Sequence, residues 1–280
     1  TLKGFCTNFQ FMNNYTFEKE DQEGVQAAIL EQGFAVVKNV FDKVLLEKIE
    51  KELLVAIDKE SSFHEGKEHK DYGMLLACPV YGGSFLELLA HRNLWLPFNN
   101  ILGSSCIVYV YTSSSMPPQS TNYSNRIHVD RPHYNPKLIE SLGCLICVND
   151  FTEENGATWV LPNSHNREDA PTSEMFYKEA IRLKASAGSV FYFNLRLWHA
   201  GGNNLTNTWR HALGIGMIRP YLKQRIDLPH AVPHSYTENM SDLVKQKLGY
   251  FAQPPKSLEE YYAPIEKRTY KEKSEWDDSI

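Results

Sequence analysis

The sequence lacks an uninterrupted apolar run of the roughly 18 residues that a membrane-spanning helix requires. Its amino terminus, TLKGFCTNFQ, lacks the apolar core of a signal peptide. It also lacks an excess of positive charge, because the formal net charge is -5, whereas nucleic-acid-binding proteins carry basic surfaces. We therefore expect neither a membrane partner nor a nucleic-acid partner. With 280 residues, 42% of them hydrophobic, the chain is long enough for one domain with a sizeable core.

Cysteine is scarce, with five residues in the chain, an odd number. Cys144 and Cys147 form a CxxC pair, but there is no second pair, which a four-cysteine zinc site would need. The pair lies in GCLICVND, which is typical of a buried strand, where residues three apart point to opposite faces. We predict buried free thiols in a reducing cytoplasm; a zinc or redox motif is the alternative.

The first hundred residues favour helices, and the following hundred favour strands. EDQEGVQAAILEQ (20–32) predicts a short helix ended by Gly33, and GFAVVKNV predicts a strand. FDKVLLEKIEKELLVAIDKE has apolar residues at helical spacing, and SFLELLAHRNLWLPFNNILG predicts a further helix. From about residue 105, short apolar runs alternate with glycine, asparagine and proline turns, as in a sandwich or barrel.

These patterns predict one domain over residues 1–280 with a mainly β fold and helical support, an α+β arrangement. We expect a helical amino-terminal part at about 1–104, a β core at about 105–222 and a carboxy-terminal extension at about 223–280.

One polar stretch, RIHVDRPHYN (126–135), stands directly before an apolar strand. On a strand, His128 and Asp130 would point to the same face, with Val129 turned away. An isolated His-x-Asp pair is a weak indication of a metal site, and a surface ion pair in a polar loop is the alternative.

A third ligand strengthens the metal interpretation. His199 ends the apolar stretch GSVFYFNLRLWH, and one alanine and two glycines follow it. The small residues after the histidine indicate that it faces open space. Two histidines and one carboxylate form the facial triad of non-haem iron(II) oxygenases, which leaves coordination positions open. A 2-oxo acid and dioxygen can occupy those positions.

Arg210 lies eleven residues after His199, so a turn and a returning strand would bring it alongside the same site. A buried arginine must be paired, and its planar guanidinium suits a carboxylate. The distal carboxylate of 2-oxoglutarate is the natural partner, whereas a surface arginine is the alternative.

With these residues in place, the chain resembles the phytanoyl-CoA dioxygenase (PhyH) family of Fe(II)/2-oxoglutarate-dependent oxygenases over about residues 25–220. HVD matches the family's HxD motif, and ENGATWVLPNSH is similar to its NGxxxxxPGSH segment, with Asn163 where glycine is usual. The segment from Ala185 to Ile218 is similar to the family's closing section. The resemblance implies a double-stranded β-helix, a cupin-like jelly roll packed by the amino-terminal helices.

The resemblance also implies the chemistry. His128, Asp130 and His199 would bind Fe(II), and Arg210 would bind 2-oxoglutarate, which is decarboxylated to succinate and CO2 as dioxygen oxidises a small metabolite. We expect hydroxylation. Desaturation or cyclisation of a natural-product intermediate, and a non-catalytic jelly-roll binding protein, are the alternatives. Related halogenases have Gly or Ala in place of the carboxylate, so Asp130 argues against halogenation.

Other residues near the motifs are candidates for binding. Asn204 could contact the cofactor or support the turn after His199. The substrate candidates, which could bind an anionic group or form only a solvated rim, are Arg126, Arg131, His133 and Tyr134. His165 is expected to brace a loop, and His211 to be structural.

Overall fold

The computed structural model of the chain describes residues 15–64 and 71–268. The helices in these residues are α1 (Gln22–Gln32), α2 (Lys43–Ser61), α3 (Gly83–Leu89), α4 (Arg92–Leu102), α5 (Ser173–Glu179), α6 (Leu228–Ala231), α7 (His234–Thr237), α8 (Asp242–Leu248) and α9 (Leu258–Tyr261). The strands are β1 (Thr16–Phe17), β2 (Phe34–Val37), β3 (Ile107–Ser113), β4 (Ser141–Cys147), β5 (Trp159–Val160), β6 (Ile181–Arg182), β7 (Val190–Asn194), β8 (His199–Ala200) and β9 (Ala212–Ile218).

The strands form two sheets, which confirms the predicted mixture of helices and a mostly antiparallel β core. The larger sheet has the order β1-β2-β7-β4-β9-β3, and only the β1–β2 pair is parallel. The smaller sheet has the order β6-β5-β8. None of the helices in the described residues is long and apolar enough to cross a membrane.

Strand β7 is buried on both faces and contributes to two hydrophobic clusters. Its five residues are all buried, and Val190 and Tyr192 join the large core formed with the amino-terminal helices. Phe191 and Phe193 join a second cluster, which includes Val160 of the smaller sheet. Because side chains alternate along a strand, helices cover one face of the larger sheet and the smaller sheet lies on the side of the other.

Helix α1 ends where the sequence predicts. Gly33 has φ +93°, and its N–H bonds to the carbonyl of Ile29, which is the left-handed helix ending that glycine adopts without steric cost. A Cβ at position 33 would also lie 2.5 Å from Nδ1 of His165. This contact explains the role of His165, whose Nε2 is 3.4 Å from the Leu30 carbonyl: it braces the loop against α1.

Two sequence-based assignments differ from the structure. The helix predicted from residue 84 to 103 is two helices, α3 and α4, separated at Ala90 and His91. The apolar stretch that leads to His199 is not one strand, because β7 ends at Asn194 and a turn leads to β8. That turn moves the chain from the larger sheet to the smaller one.

The described cysteines agree with the prediction of buried free thiols. Cys78, Cys106, Cys144 and Cys147 are all free and buried, and burial raises the pKa of each thiol. Cys144 joins the core on the helical side of the larger sheet and Cys147 joins a different cluster. The CxxC pair is therefore part of the packing. Cys6 lies outside the described residues.

Candidate active site

His128, Asp130 and His199 come together although the last is some seventy positions further along the chain. One potential ligand atom from each lies within 4.8 Å of the others. The Asp130 Oδ1 atom is 3.4 Å from Nε2 of His128 and 3.9 Å from Nε2 of His199. This is the spacing of a two-histidine, one-carboxylate set around a single ion.

Backbone hydrogen bonds fix the three residues. His128 and His199 exchange two N–H···O bonds of 2.9 Å, as an isolated antiparallel bridge. The Leu195 carbonyl accepts from the N–H groups of Asp130 and Arg131, at 3.0 and 3.1 Å. The segment predicted as a strand end is therefore held by a bridge and a shared carbonyl, and the turn after β7 supplies that carbonyl.

The protonation of both imidazoles suits metal binding. Nδ1 of His128 is 2.8 Å from the Arg126 carbonyl, and Nδ1 of His199 is 2.9 Å from the Leu197 carbonyl. Because a carbonyl only accepts, each Nδ1 carries the proton, and each neutral ring keeps its lone pair on Nε2. Backbone partners of this kind orient histidine ligands in metal sites.

The electrostatics favour unprotonated His199 and Asp130. Burial and the neighbouring His128 lower the pKa of His199 to about 4. Burial alone would raise the pKa of Asp130, but His199 and His128 outweigh it and lower that pKa below its usual value. The Asp130 side chain is 39% exposed, so the cluster can be reached from solvent.

Arg210 and the three potential ligands line one cavity, which we term the metal cavity. Its side chain is 1% exposed, and its guanidinium lies 4.5 Å over the Phe151 ring. Nε and Nη1 are buried without a hydrogen-bond partner, and burial lowers the pKa to about 10. The guanidinium is still charged at neutral pH, and a buried unpaired charge of this kind calls for an anion.

Asn204 does not line this cavity. It is buried, and its amide donates to the carbonyls of Met116, Pro117 and Thr208 while its oxygen accepts twice from Thr206. These contacts favour turn support over cofactor contact. Asn163, at the position where glycine is usual, has φ +62°, a left-handed conformation that asparagine tolerates.

The four substrate candidates separate into two places. Arg126 is exposed and lies 4.6 Å over the Tyr123 ring, which lines the metal cavity. The other three, Arg131, His133 and Tyr134, line a second cavity together with Arg196 and His165. Arg131 also lies 5.2 Å over the ring of Tyr109, a residue of the metal cavity. His133 and Tyr134 therefore do not line the metal cavity, whereas Arg126 and Arg131 each lie over the ring of a residue that does.

Sequence reasoning missed Tyr123 and Arg225, which line the metal cavity together with Tyr109. Tyr109 lies on β3, where the inward face could not be assigned from sequence. Arg225 lies in the segment assigned to the carboxy-terminal extension. His211 is structural as predicted, with Nδ1 2.8 Å from Ser115 Oγ and its ring stacked on Trp209.

The fold is of the jelly-roll type, and it carries a cluster of two histidines and one carboxylate that could hold a metal ion. The sequence model of the phytanoyl-CoA dioxygenase (PhyH) family matches residues 29–212, and the chain belongs to that family. It is therefore a member of a superfamily of iron- and 2-oxoglutarate-dependent oxygenases.

Several known proteins are similar to this chain. An uncharacterized protein of Mycobacterium tuberculosis is 29% identical over 259 residues, covering 88% of this chain and 93% of that protein. The dioxygenase aneA of Aspergillus aculeatus is 24% identical over 236 residues, covering 78% and 79%. Among solved structures, AviO1 of Streptomyces viridochromogenes has a TM-score of 0.60 at 18% identity, covering 72% of this chain and 97% of that one.

A further solved structure is the epimerase SnoN in complex with Fe3+, alpha-ketoglutarate and nogalamycin RO. It has a TM-score of 0.56 at 15% identity, covering 72% of this chain and 84% of that one. At this identity the likeness concerns the fold.

Proposed function

We propose that the protein is an Fe(II)/2-oxoglutarate-dependent hydroxylase of a small-molecule metabolite. His128, Asp130 and His199 would bind Fe(II), and Arg210 would bind the distal carboxylate of 2-oxoglutarate, which is converted to succinate and CO2. The observation that carries the proposal is the buried Arg210 guanidinium, with two partnerless nitrogens, in the cavity of the His–Asp–His cluster.

The residues of the chain suit this role. The carbonyls of Arg126 and Leu197 bond to Nδ1 of His128 and His199, which leaves both Nε2 lone pairs available for the ion. Asp130 adds one negative charge. Fe(II) would supply the activation of dioxygen, which no side chain can perform. Phe193, whose ring centroid is 5.3 Å from that of His199, forms an apolar wall that restricts water beside the centre.

The oxidation outcome and the location are part of the proposal. Asp130 occupies the position at which related halogenases need a halide site, so hydroxylation is favoured over halogenation. Desaturation or cyclisation is the second candidate, because structural neighbours include an epimerase and the carbocyclase SnoK. A non-catalytic binding protein is disfavoured, since it would not need an unpaired buried arginine beside a metal cluster. The buried free thiols support a cytoplasmic location.

The test is the formation of succinate from 2-oxoglutarate with Fe(II) and ascorbate under air, with and without candidate metabolites. We expect slow substrate-independent conversion in the wild type and none in His128→Ala. The absence of succinate with every metabolite, together with no binding of 2-oxoglutarate by calorimetry, would refute the proposal.

A further inference from the structure

The metal cavity has a second positive group besides Arg210. Arg225 lines the cavity and is exposed. Arg126 lies over Tyr123, another cavity residue, at 4.6 Å. Within the described residues, neither arginine has a carboxylate oxygen within ion-pair distance. A guanidinium at a cavity without a carboxylate partner is suited to bind an anionic group of a ligand.

Arg126 and Arg225 are both close to the cavity that Tyr123 and Asp130 line. Arg126 lies 4.6 Å over the Tyr123 ring, and Arg225 lines the cavity itself. Burial, Asp130 and Asp71 raise the pKa of Tyr123, and the charges of Arg126 and Arg225 partly offset this rise. An anion held there would lie next to the metal centre.

The position of Arg225 is fixed by the backbone. Its N–H donates to the Tyr109 carbonyl at 3.0 Å, and Nε2 of the preceding Gln224 donates to the carbonyls of Val108 and Leu248. The segment after β9 is thus attached to the beginning of β3. Arg225 is anchored at its main chain, and its side chain has no acidic ion-pair partner in the part of the chain that the structure describes.

Arg225 and Arg210 are attached to opposite ends of β3. Arg210 exchanges two backbone hydrogen bonds with Met116, beyond the end of that strand, whereas Arg225 bonds to Tyr109 near its start. The two attachment points are seven residues apart along the chain, so the two arginines reach the cavity from different places. With Arg210 assigned to 2-oxoglutarate, Arg225 is available for a different molecule.

Part of the cavity wall is apolar, and its lining residues include Met74, Val110, Leu145, Phe191, Phe193 and Leu195. Such a wall suits an aliphatic or aromatic body, and a small number of charged groups then fixes its orientation.

We propose that Arg225, together with Arg126, binds an anionic group of the substrate. The substrate class is a small amphiphilic acid, with an apolar body that lies along the cavity wall and a carboxylate or similar anion at the Arg225 end. This inference rests on the proposed function, since it assigns the substrate of that site.

The test uses a matched pair of probes, 3-phenylpropionate and its neutral amide, 3-phenylpropionamide. Binding is measured by calorimetry under anaerobic conditions, with the protein loaded with Fe(II) and saturated with 2-oxoglutarate so that Arg210 is occupied. We expect the acid to bind at least about tenfold more tightly than the amide, because a charge-assisted hydrogen bond contributes about 1.5–3 kcal/mol. The preference should decrease with added salt.

The variants are R225Q and R126Q, with R225K as the conservative change and K223Q as the control. Lys223 is exposed, close in sequence and outside the cavity lining. K223Q therefore removes one positive charge, as R225Q does, but at a position outside the proposed site. We expect the acid preference to vanish in R225Q, weaken in R126Q, remain in part in R225K and persist in K223Q.

Equal affinities for the acid and the amide in the wild type, including no binding of either, would overturn the inference, as would a full preference in R225Q. Binding of 2-oxoglutarate is measured first and separates the two hypotheses. If 2-oxoglutarate binds in an Arg210-dependent manner but the acid preference is absent, only the substrate assignment fails. If 2-oxoglutarate does not bind the wild type, the proposed function itself fails.

Discussion

Replacement of Arg210 by methionine should have opposite effects on folding and on ligand binding. The guanidinium is 1% exposed, without a partner for two of its nitrogens. Burial lowers its pKa from 12.5 to about 10, and each unit corresponds to 1.36 kcal/mol. The charge thus costs the ligand-free fold about 3 kcal/mol, less what its contact with Phe151 contributes.

Arg210→Met should therefore unfold at a higher temperature than the wild type in the absence of 2-oxoglutarate. A change of 1 kcal/mol corresponds to roughly 2–4 °C for domains of this size, so we expect a rise of a few degrees. The same variant should lose 2-oxoglutarate affinity by about 30-fold or more, because a buried charge pair is broken. Scanning fluorimetry with and without 2-oxoglutarate measures both effects.

Arg196→Met is the matched control. Arg196 is also buried, but its guanidinium donates to the carbonyls of Pro132 and Arg167. Its removal leaves those carbonyls without donors and should lower the unfolding temperature. If Arg210→Met is destabilised to the same degree as Arg196→Met, or if it still gains stability from 2-oxoglutarate, the assignment of Arg210 as a carboxylate receptor is wrong.

Three further predictions concern other parts of the chain. Gly33→Ala should cost at least about 1 kcal/mol in urea denaturation, because alanine resists φ +93° and its Cβ would crowd His165; unchanged stability would contradict this account. His128→Ala should weaken Co(II) binding at least about 100-fold in an absorbance titration, since even loss of an outer partner of a ligand costs 10–100-fold. His133→Ala, in the separate cavity, should bind normally. Burial and the neighbouring guanidinium lower the pKa of His211 to about 4. The unfolded chain therefore binds one more proton between about pH 6.5 and 4, and stability should fall by up to about 3 kcal/mol as pH decreases through that window. His211→Gln should reduce this slope in urea denaturation, and an unchanged slope would exclude His211 as its source.

The proximity of His128, Asp130 and His199 was predictable because it depends on short sequence motifs. His128 and Asp130 are two apart, and the glycines after His199 indicate a chain that turns at that histidine. The structure brings the three together by a different local geometry from the one expected, an isolated bridge with a carbonyl shared by Asp130 and Arg131. The constellation could therefore be predicted from residue types although the strand assignment was wrong.

The substrate candidates were less predictable because proximity in sequence does not imply a shared cavity. Arg126 and His133 are seven positions apart, yet Arg126 lies over Tyr123 of the metal cavity and His133 lines the second cavity, and Arg196 in the turn after β7 donates to the Pro132 carbonyl. Arg225 was missed for the complementary reason. It is almost a hundred positions from Asp130, and only the tertiary hydrogen bond to Tyr109 brings it to the cavity.

The turn after β7 connects these observations. Within it, Leu195 supplies the carbonyl that holds Asp130 and Arg131, Leu197 supplies the carbonyl that orients His199, and Arg196 holds Pro132. One short break between two strands thus positions two potential metal ligands and the loop that separates the two cavities. A continuous strand, as the apolar pattern suggested, would have left these carbonyls in ladder hydrogen bonds. The departure from regular structure is therefore the feature that assembles the centre, which agrees with the general tendency of functional residues to lie on irregular segments held by a rigid scaffold.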